Sequence, residues 1–343
     1  MAPDSFKGTA TAHAAAEALA SGWSSVRPQD VVIAAPMADG GEGTIDVLDA
    51  ALPAARRLST PVTGPGGGER AASWLMLPGN TAVVELAETS GVTLHSSLSP
   101  FDAHTIELGR VIADALDRGA EELVIAVGGS ASTDGGAGAL AALGARLLDG
   151  EGHEVPPGNR GLASLQAVDL SGIRSLPPRG AKVLVDVVNP LTGPEGAAAV
   201  FGPQKGATPA DVSVLERNLT TWSLLVPADP LAAGTGAAGG TAFGLLAWGA
   251  GLWPGAQGIA DVIGLAELIA EADVVVTGEG SFDLQSAAGK VPLHVGHIAA
   301  GRGIDVLLVA GSIDTSASDF AGSRSLTELA GDPRSACAKP EHW

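Results

Sequence analysis

The sequence predicts an α/β protein of two domains, built on mostly parallel sheets flanked by helices. Three observations carry that expectation. Short apolar runs alternate with Ala/Leu-rich helical stretches, the pattern of consecutive βα units. Hydrophobic residues make up 45% of the chain but aromatics only 3%, with no tyrosine, so the core is aliphatic, as suits strands covered on both faces. A length of 343 residues exceeds what one ordinary core organises.

Taken in order, alanine-rich residues 10–22 predict a helix and Val31 to Ala35 a strand. The turn Met37-Ala38-Asp39-Gly40-Gly41-Glu42-Gly43 then feeds a helix over Thr44 to Leu52. Thr60 to Gly68 has turn chemistry and reads as a domain crossing, followed by a strand pair at 71–77 and 81–87 and a helix at 104–118. The apolar run Leu123-Val124-Ile125-Ala126-Val127 is a strand that breaks into a glycine-rich loop before an Ala/Leu-rich helix. A polar, Pro-containing stretch covers 150–180, with a strand at Lys182 to Val187 and helices near 209–224, 242–250 and 259–270. The strand Asp273 to Thr277 leads into the turn Gly278-Glu279-Gly280, then a helix at 291–301 and a strand at 305–310. No internal repeat interrupts this order.

Composition excludes several functions. A net charge of −19 argues against nucleic acid or an anionic membrane as partner, since both demand a basic surface. No apolar stretch reaches the roughly 20 residues of a membrane span, and the opening Met1-Ala2-Pro3-Asp4-Ser5 lacks the basic and apolar regions of a secretory signal. Cys337 is the only cysteine, which rules out an intrachain disulfide and fits a reducing cytoplasm. Walker A is absent. Gly234-Thr235-Gly236-Ala237-Ala238-Gly239 matches G-x-G-x-x-G, but no apolar strand precedes it. His294 and His297 lack a third ligand for zinc.

What remains is a set of acidic or lysine-bearing glycine turns, most of them just after a strand. The richest is Gly128-Gly129-Ser130-Ala131-Ser132-Thr133-Asp134-Gly135-Gly136-Ala137-Gly138, where glycines can aim several N–H groups at one anion and the next helix adds its positive end. Asp134 offers a metal ligand or a base. Three of the five lysines, Lys7, Lys205 and Lys290, lie in glycine-containing turns: Phe6-Lys7-Gly8, Gln204-Lys205-Gly206 and Gly289-Lys290-Val291. Carboxylates to hold Mg²⁺ or accept a hydroxyl proton, with N–H groups and lysines to neutralise phosphates, are the parts of phosphoryl transfer. Metal-assisted hydrolysis of a phosphate ester uses the same parts. Each acid could equally be a helix cap or turn former.

Six segments, taken together, resemble the type I family of bacterial glycerate kinases. They are Ala2-Pro3-Asp4-Ser5-Phe6-Lys7-Gly8, Pro36 to Thr44, the loop Gly128 to Gly138, Asp186-Val187-Val188-Asn189-Pro190-Leu191, Phe201-Gly202-Pro203-Gln204-Lys205-Gly206-Ala207 and Thr277-Gly278-Glu279-Gly280. Their order and spacing match over essentially the whole chain. The resemblance implies one α/β domain inserted into the other, with residues 1–65 and 270–343 forming the discontinuous domain and 66–269 the insert, and an active site in the cleft between them. It also implies ATP- and Mg²⁺-dependent phosphorylation of D-glycerate, at the 2-hydroxyl to give 2-phosphoglycerate, in the cytoplasm. A kinase or phosphatase for another small hydroxy acid, or a non-catalytic ligand-binding homologue, stays open beside it.

The roles that follow are expectations. Lys7, Asp39 and Asp186 are the candidate catalytic residues, with Lys7 the first choice. Gly128, Gly129, Ser130, Ser132, Thr133, Asp134, Gly135, Gly136, Lys205, Glu279 and Lys290 are candidates for binding ATP, and Asp134 and Glu279 for the metal. Two departures from the family pattern stand out. The pattern has an apolar strand ahead of Ala2 and a long helix after Ser325 to Gly331, and this sequence has neither. The expected consequences are a parallel sheet short of its first strand and a loosely anchored Lys7.

Overall fold

The structure, a computed structural model, describes residues 1–283, 286 and 290–342. Gly289, placed in a lysine turn from the sequence, lies outside the described residues. The chain forms two compact units, one from Met1–Asp39, Asp46–Pro53 and Pro254–Trp343, the other from Gly40–Ile45 and Ala54–Trp253. In chain order the strands are β1 (Ala2–Pro3), β2 (Arg56–Thr63), β3 (Glu69–Leu77), β4 (Thr81–Glu85), β5 (Glu122–Ala126), β6 (Arg146–Leu148), β7 (Ala167–Asp169), β8 (Ala181–Val185), β9 (Gly251–Pro254), β10 (Val274–Phe282), β11 (Asp305–Ile313) and β12 (Gly322–Ser325). The expected α/β class holds, with mostly parallel sheets flanked by helices. Among the described residues no helix is long and apolar enough to cross a membrane.

The first unit is organised by a wholly parallel sheet in the order β1-β10-β11-β12. The expectation of a sheet without its first strand is corrected in part: Ala2–Pro3 pairs with Thr277 and Gly278 of β10. Residues 31–35, expected as a strand, run extended beside β1 without forming a ladder. The Met1 ammonium donates to the Ile33 carbonyl at 2.7 Å, and Ala35 N–H donates to the Met1 carbonyl at 2.8 Å. A two-residue neighbour offers too few partners for a longer ladder, and Val31 is left 92% exposed. Gly278-Glu279-Gly280 is not a turn; β10 continues through it, with Gly278 opposite Val309 and Glu279 opposite Ala310. The helix expected over 259–270 is two, Gly255–Ile263 and Leu265–Ala270, because Gly264 adopts a left-handed φ of 66° between them.

In the second unit a six-stranded sheet runs β2-β3-β4-β5-β8-β9. The β2-β3-β4 end is antiparallel, while β4-β5-β8 is parallel. Thr60 to Thr63 belongs to β2, so the turn that the sequence suggested over Thr60 to Gly68 is confined to Gly64–Gly68, closed by a Gly64 N–H bond to the Gly68 carbonyl at 2.7 Å. Pro61 misled the reading; β2 is an edge strand, where a missing N–H is tolerated. The polar stretch at 150–180 holds β7, which pairs with β6. Leu123 and Ile125 of β5 are sealed in a core with Trp74, Trp222 and Phe243, so β5 is a rigid base for the loop that follows it.

Candidate active site

Three extended segments lie side by side in the first unit, and each brings a carboxylate to the same edge. β1 is fixed on one side by Asp4 N–H bonding the Gly278 carbonyl and on the other by Met37 N–H bonding the Pro3 carbonyl, both at 2.8 Å. Asp4 and Asp39 thus stand at the carboxyl ends of neighbouring stretches, where open parallel sheets bind ligands, and Glu279 lies beside them within β10, just past the residues that pair with β1. All three are buried, at 5 to 6% exposure.

Lys7 reaches this group from the turn after β1. Its Nζ lies 3.3 Å from Asp39 Oδ2, while its side chain stays 69% exposed. The turn is well anchored, contrary to expectation: Phe6 is buried beside Ala15 and Leu326, and its N–H bonds the Ala10 carbonyl at 2.9 Å. Burial and then the nearby Asp39 raise the Asp4 carboxyl to about 7, against the pull of Ser5 N–H and Lys7. Burial also raises Glu279, opposed by Ser286, Lys290 and Lys7, and its Oε1 is enclosed with no hydrogen-bond partner. The structure therefore brings Lys7, Asp39, Glu279 and Lys290 into one electrostatic neighbourhood, and adds Asp4, which sequence reasoning passed over in favour of Lys7 from the same motif.

The second unit treats its buried acid differently. Asp134 is wholly enclosed, and its carboxylate accepts from Thr105 N–H and Oγ1 (2.8 Å each), Gly136 N–H (3.1 Å) and Gly138 N–H (3.2 Å). Thr105 Oγ1 in turn accepts from Ala139 N–H. Asp134 thus ties the start of the helix Ala137–Ala142 to Thr105, a structural task that the sequence did not reveal. Other donors of the loop are also spent within the protein: Gly128 N–H on the Gly40 carbonyl, Ala131 N–H on Ser90 and Gly135 N–H on Gly239. The expected cradle of loop N–H groups is in large part a self-satisfied scaffold.

Lys205 supports that scaffold from inside. Only 2% exposed, it donates to Ser130 Oγ (2.7 Å) and the Ser132 carbonyl (2.6 Å), and burial lowers its ammonium to about 7 despite Asp134 nearby. Ser132 Oγ is buried without a partner among the described residues, Thr133 Oγ1 bonds the Pro100 carbonyl, and Gly129 has a left-handed φ of 73°. Asp186 follows β8 and is exposed. Sequence reasoning also missed Glu85, whose two oxygens each accept a 2.9 Å bond, from Gly43 N–H and Ile45 N–H, and so clamp the Gly40–Gly43 motif. A lone charge ending the apolar run of β4 was the available signal.

Among the described residues, no three His, Cys, Asp or Glu side chains converge on a point that could hold a metal ion.

Residues 1–341 match the family model described as the glycerate kinase family. A glycerate kinase of Bacillus subtilis (strain 168) is 42% identical over 323 residues, 91% of this chain and 84% of that protein. A glycerate 2-kinase of Escherichia coli (strain K12) is 38% identical over 326 residues, with the same coverage of each. A crystal structure from Salmonella typhimurium LT2 named for glycerate kinase 2 matches at a TM-score of 0.84 and 37% identity, covering 99% of this chain and 94% of that one.

Two substitutions test the scaffold. Asp134→Asn removes acceptors from buried N–H groups and should cost on the order of 2–3 kcal/mol, read from the urea midpoint. A Cβ at Gly128 would sit 2.5 Å from Gly41 Cα, whereas one at Gly66 meets nothing within 4 Å. Gly128→Ala should therefore lower stability by about 1–3 kcal/mol, and Gly66→Ala should leave the midpoint unchanged.

Proposed function

This chain belongs to the glycerate kinase family, and from that premise we propose that it transfers the γ-phosphoryl group of ATP to the 2-hydroxyl of D-glycerate, giving 2-phosphoglycerate. The observation that carries the reading is the family match over residues 1–341, with glycerate kinases at 38–42% identity over nine-tenths of the chain. The 2-position rests on the relative named glycerate 2-kinase. Mg²⁺ arrives with ATP as its phosphate complex, since this ion is commonly held by substrate phosphates and water with few protein ligands. The reaction belongs to the cytoplasm, where ATP is at hand and the single Cys337 needs no oxidising partner.

The first unit supplies the chemistry that glycerate requires. Lys7, exposed and anchored through Phe6, offers a cation to the substrate carboxylate or to the phosphoryl group in flight, and Asp39 holds the ammonium in place. Lys290, at the start of the helix Val291–Ala300, adds positive charge beside Glu279. In the second unit the loop after β5 is held as a rigid frame by Lys205 and Asp134.

An ADP-release assay with D-glycerate, ATP and Mg²⁺, with ³¹P NMR of the product, tests the reading. D-glycerate-dependent ADP release and 2-phosphoglycerate are expected; no such release would overturn it, and turnover only with tartronate would move the substrate to another hydroxy acid. Lys7→Met should lower kcat/KM for D-glycerate by about 10²–10³-fold with the urea midpoint unchanged. A loss smaller than tenfold would make Lys7 a merely solvated residue.

A further inference from the structure

Four acids were candidates for the group that receives the hydroxyl proton, and their surroundings separate them. Asp134 already accepts four hydrogen bonds. Asp39 is engaged by the Lys7 ammonium at 3.3 Å. Glu279 lies inside β10 opposite Ala310, outside the turn that carries Lys7, with its Oε1 enclosed. Asp186 is exposed, in the second unit. None of these combines a buried carboxylate oxygen that has no hydrogen bond among the described residues with a place on the turn that carries Lys7.

Asp4 combines them. Its Oδ1 accepts the Ser5 N–H at 2.6 Å, while its Oδ2 has no hydrogen bond among the described residues. Both sides of β1 hold its backbone, so the side chain has a fixed origin at the carboxyl end of the sheet. The exposed Lys7 stands three residues along the same turn, where it can engage an anionic substrate.

We propose that Asp4 is a catalytic residue: its carboxylate accepts the proton of the substrate hydroxyl as that oxygen attacks phosphorus. The inference rests on the kinase reading above. In the step, the hydroxyl O–H breaks and its proton goes to Asp4 Oδ2. The hydroxyl oxygen bonds the γ-phosphorus, and the bond from that phosphorus to the β–γ bridging oxygen breaks, its electron pair leaving on ADP. Asp4 then releases the proton to water.

The charged groups facing Asp4 are Asp39 from the 31–39 segment, Lys7 from its own turn and Glu279 from β10. The acids raise its proton affinity and Lys7 lowers it, and with burial the balance falls near 7. A general base works best there, being ionised in part at neutral pH and still able to hold a proton. Because the base must start ionised, activity rises with pH through about 7 and is lost below it.

Asp4→Asn keeps the shape and cannot take the proton. It should lower kcat at least 100-fold, with KM for D-glycerate within about threefold, and abolish the rising limb of the pH profile. Removing an ionised buried carboxylate should leave Tm at pH 8 equal or higher, so the loss cannot be assigned to unfolding. In ¹³C NMR of protein labelled at aspartate carboxyls, the wild type should show a resonance titrating near 7 that Asp4→Asn lacks, with no turnover needed. A variant within tenfold of wild-type kcat, or a wild type lacking that resonance, would overturn the proposal. Wild-type enzyme inactive on D-glycerate would instead sink the glycerate reading, and the NMR titration would still decide for or against Asp4.

Discussion

The first unit depends on how so short a strand is held. β1 contributes two residues to its sheet, yet the bonds from Asp4 N–H to Gly278 and from Met37 N–H to Pro3 set the chain between two extended neighbours. Everything at the carboxyl edge inherits its position from that pairing. It also explains the electrostatics, because a chain covered on both sides loses water from whatever charges it carries. The Met1 ammonium at one end is pushed down to about 6 by burial, and the Asp4 carboxyl at the other is pushed up to about 7. Two groups of opposite kind are thus moved toward neutrality by one cause.

Saturation divides the buried acids more sharply than burial does. Asp134 and Glu85 are as enclosed as Asp4 and Glu279, yet the first two accept several backbone N–H donors. Such carboxylates are structural: they cap a helix or clamp a loop, and their negative charge meets fixed positive dipoles. Among the described residues Asp4 has one hydrogen-bond donor and Glu279 an oxygen with none, so desolvation is less compensated there. Uncompensated desolvation is what shifts a carboxyl into a useful range.

This division is what the sequence could not convey. The βα alternation is visible in periodicity, and β5, the helix Ile106–Asp117 and the helix Pro209–Ser223 fall close to where the pattern put them. Partners far along the chain leave no such trace. Asp134 is saturated by Thr105, 29 residues earlier, and Glu85 by Gly43, 42 residues away. Lys205 meets Ser130 across 75 residues. Gly128 suggested a phosphate cradle, but its missing Cβ makes room for Gly41. Glycine marks close approach of a backbone, and sequence alone does not say whether the approaching group is a ligand or another loop. The same ambiguity made Gly278-Glu279-Gly280 look like a turn when it continues β10.

The charge balance of the chain bears on how such a site handles an anion. With a net charge of −19 and five lysines, positive charge is scarce, and Lys205 is buried with its ammonium lowered to about 7. Lys7 is therefore valuable in the first unit, where it is shared: it pairs with Asp39 and also favours the ionised form of Asp4. A substrate carboxylate or phosphate drawn to Lys7 competes for that charge. Were the ammonium to turn to an incoming anion, Asp4 would lose the contribution that lowers its proton affinity, while burial and Asp39 would continue to raise it. On the proposed assignment the carboxylate would then be a stronger base when the substrate hydroxyl arrives beside it. The turn that carries both residues, pinned by Phe6, would thereby couple recognition of the anion to acceptance of the proton.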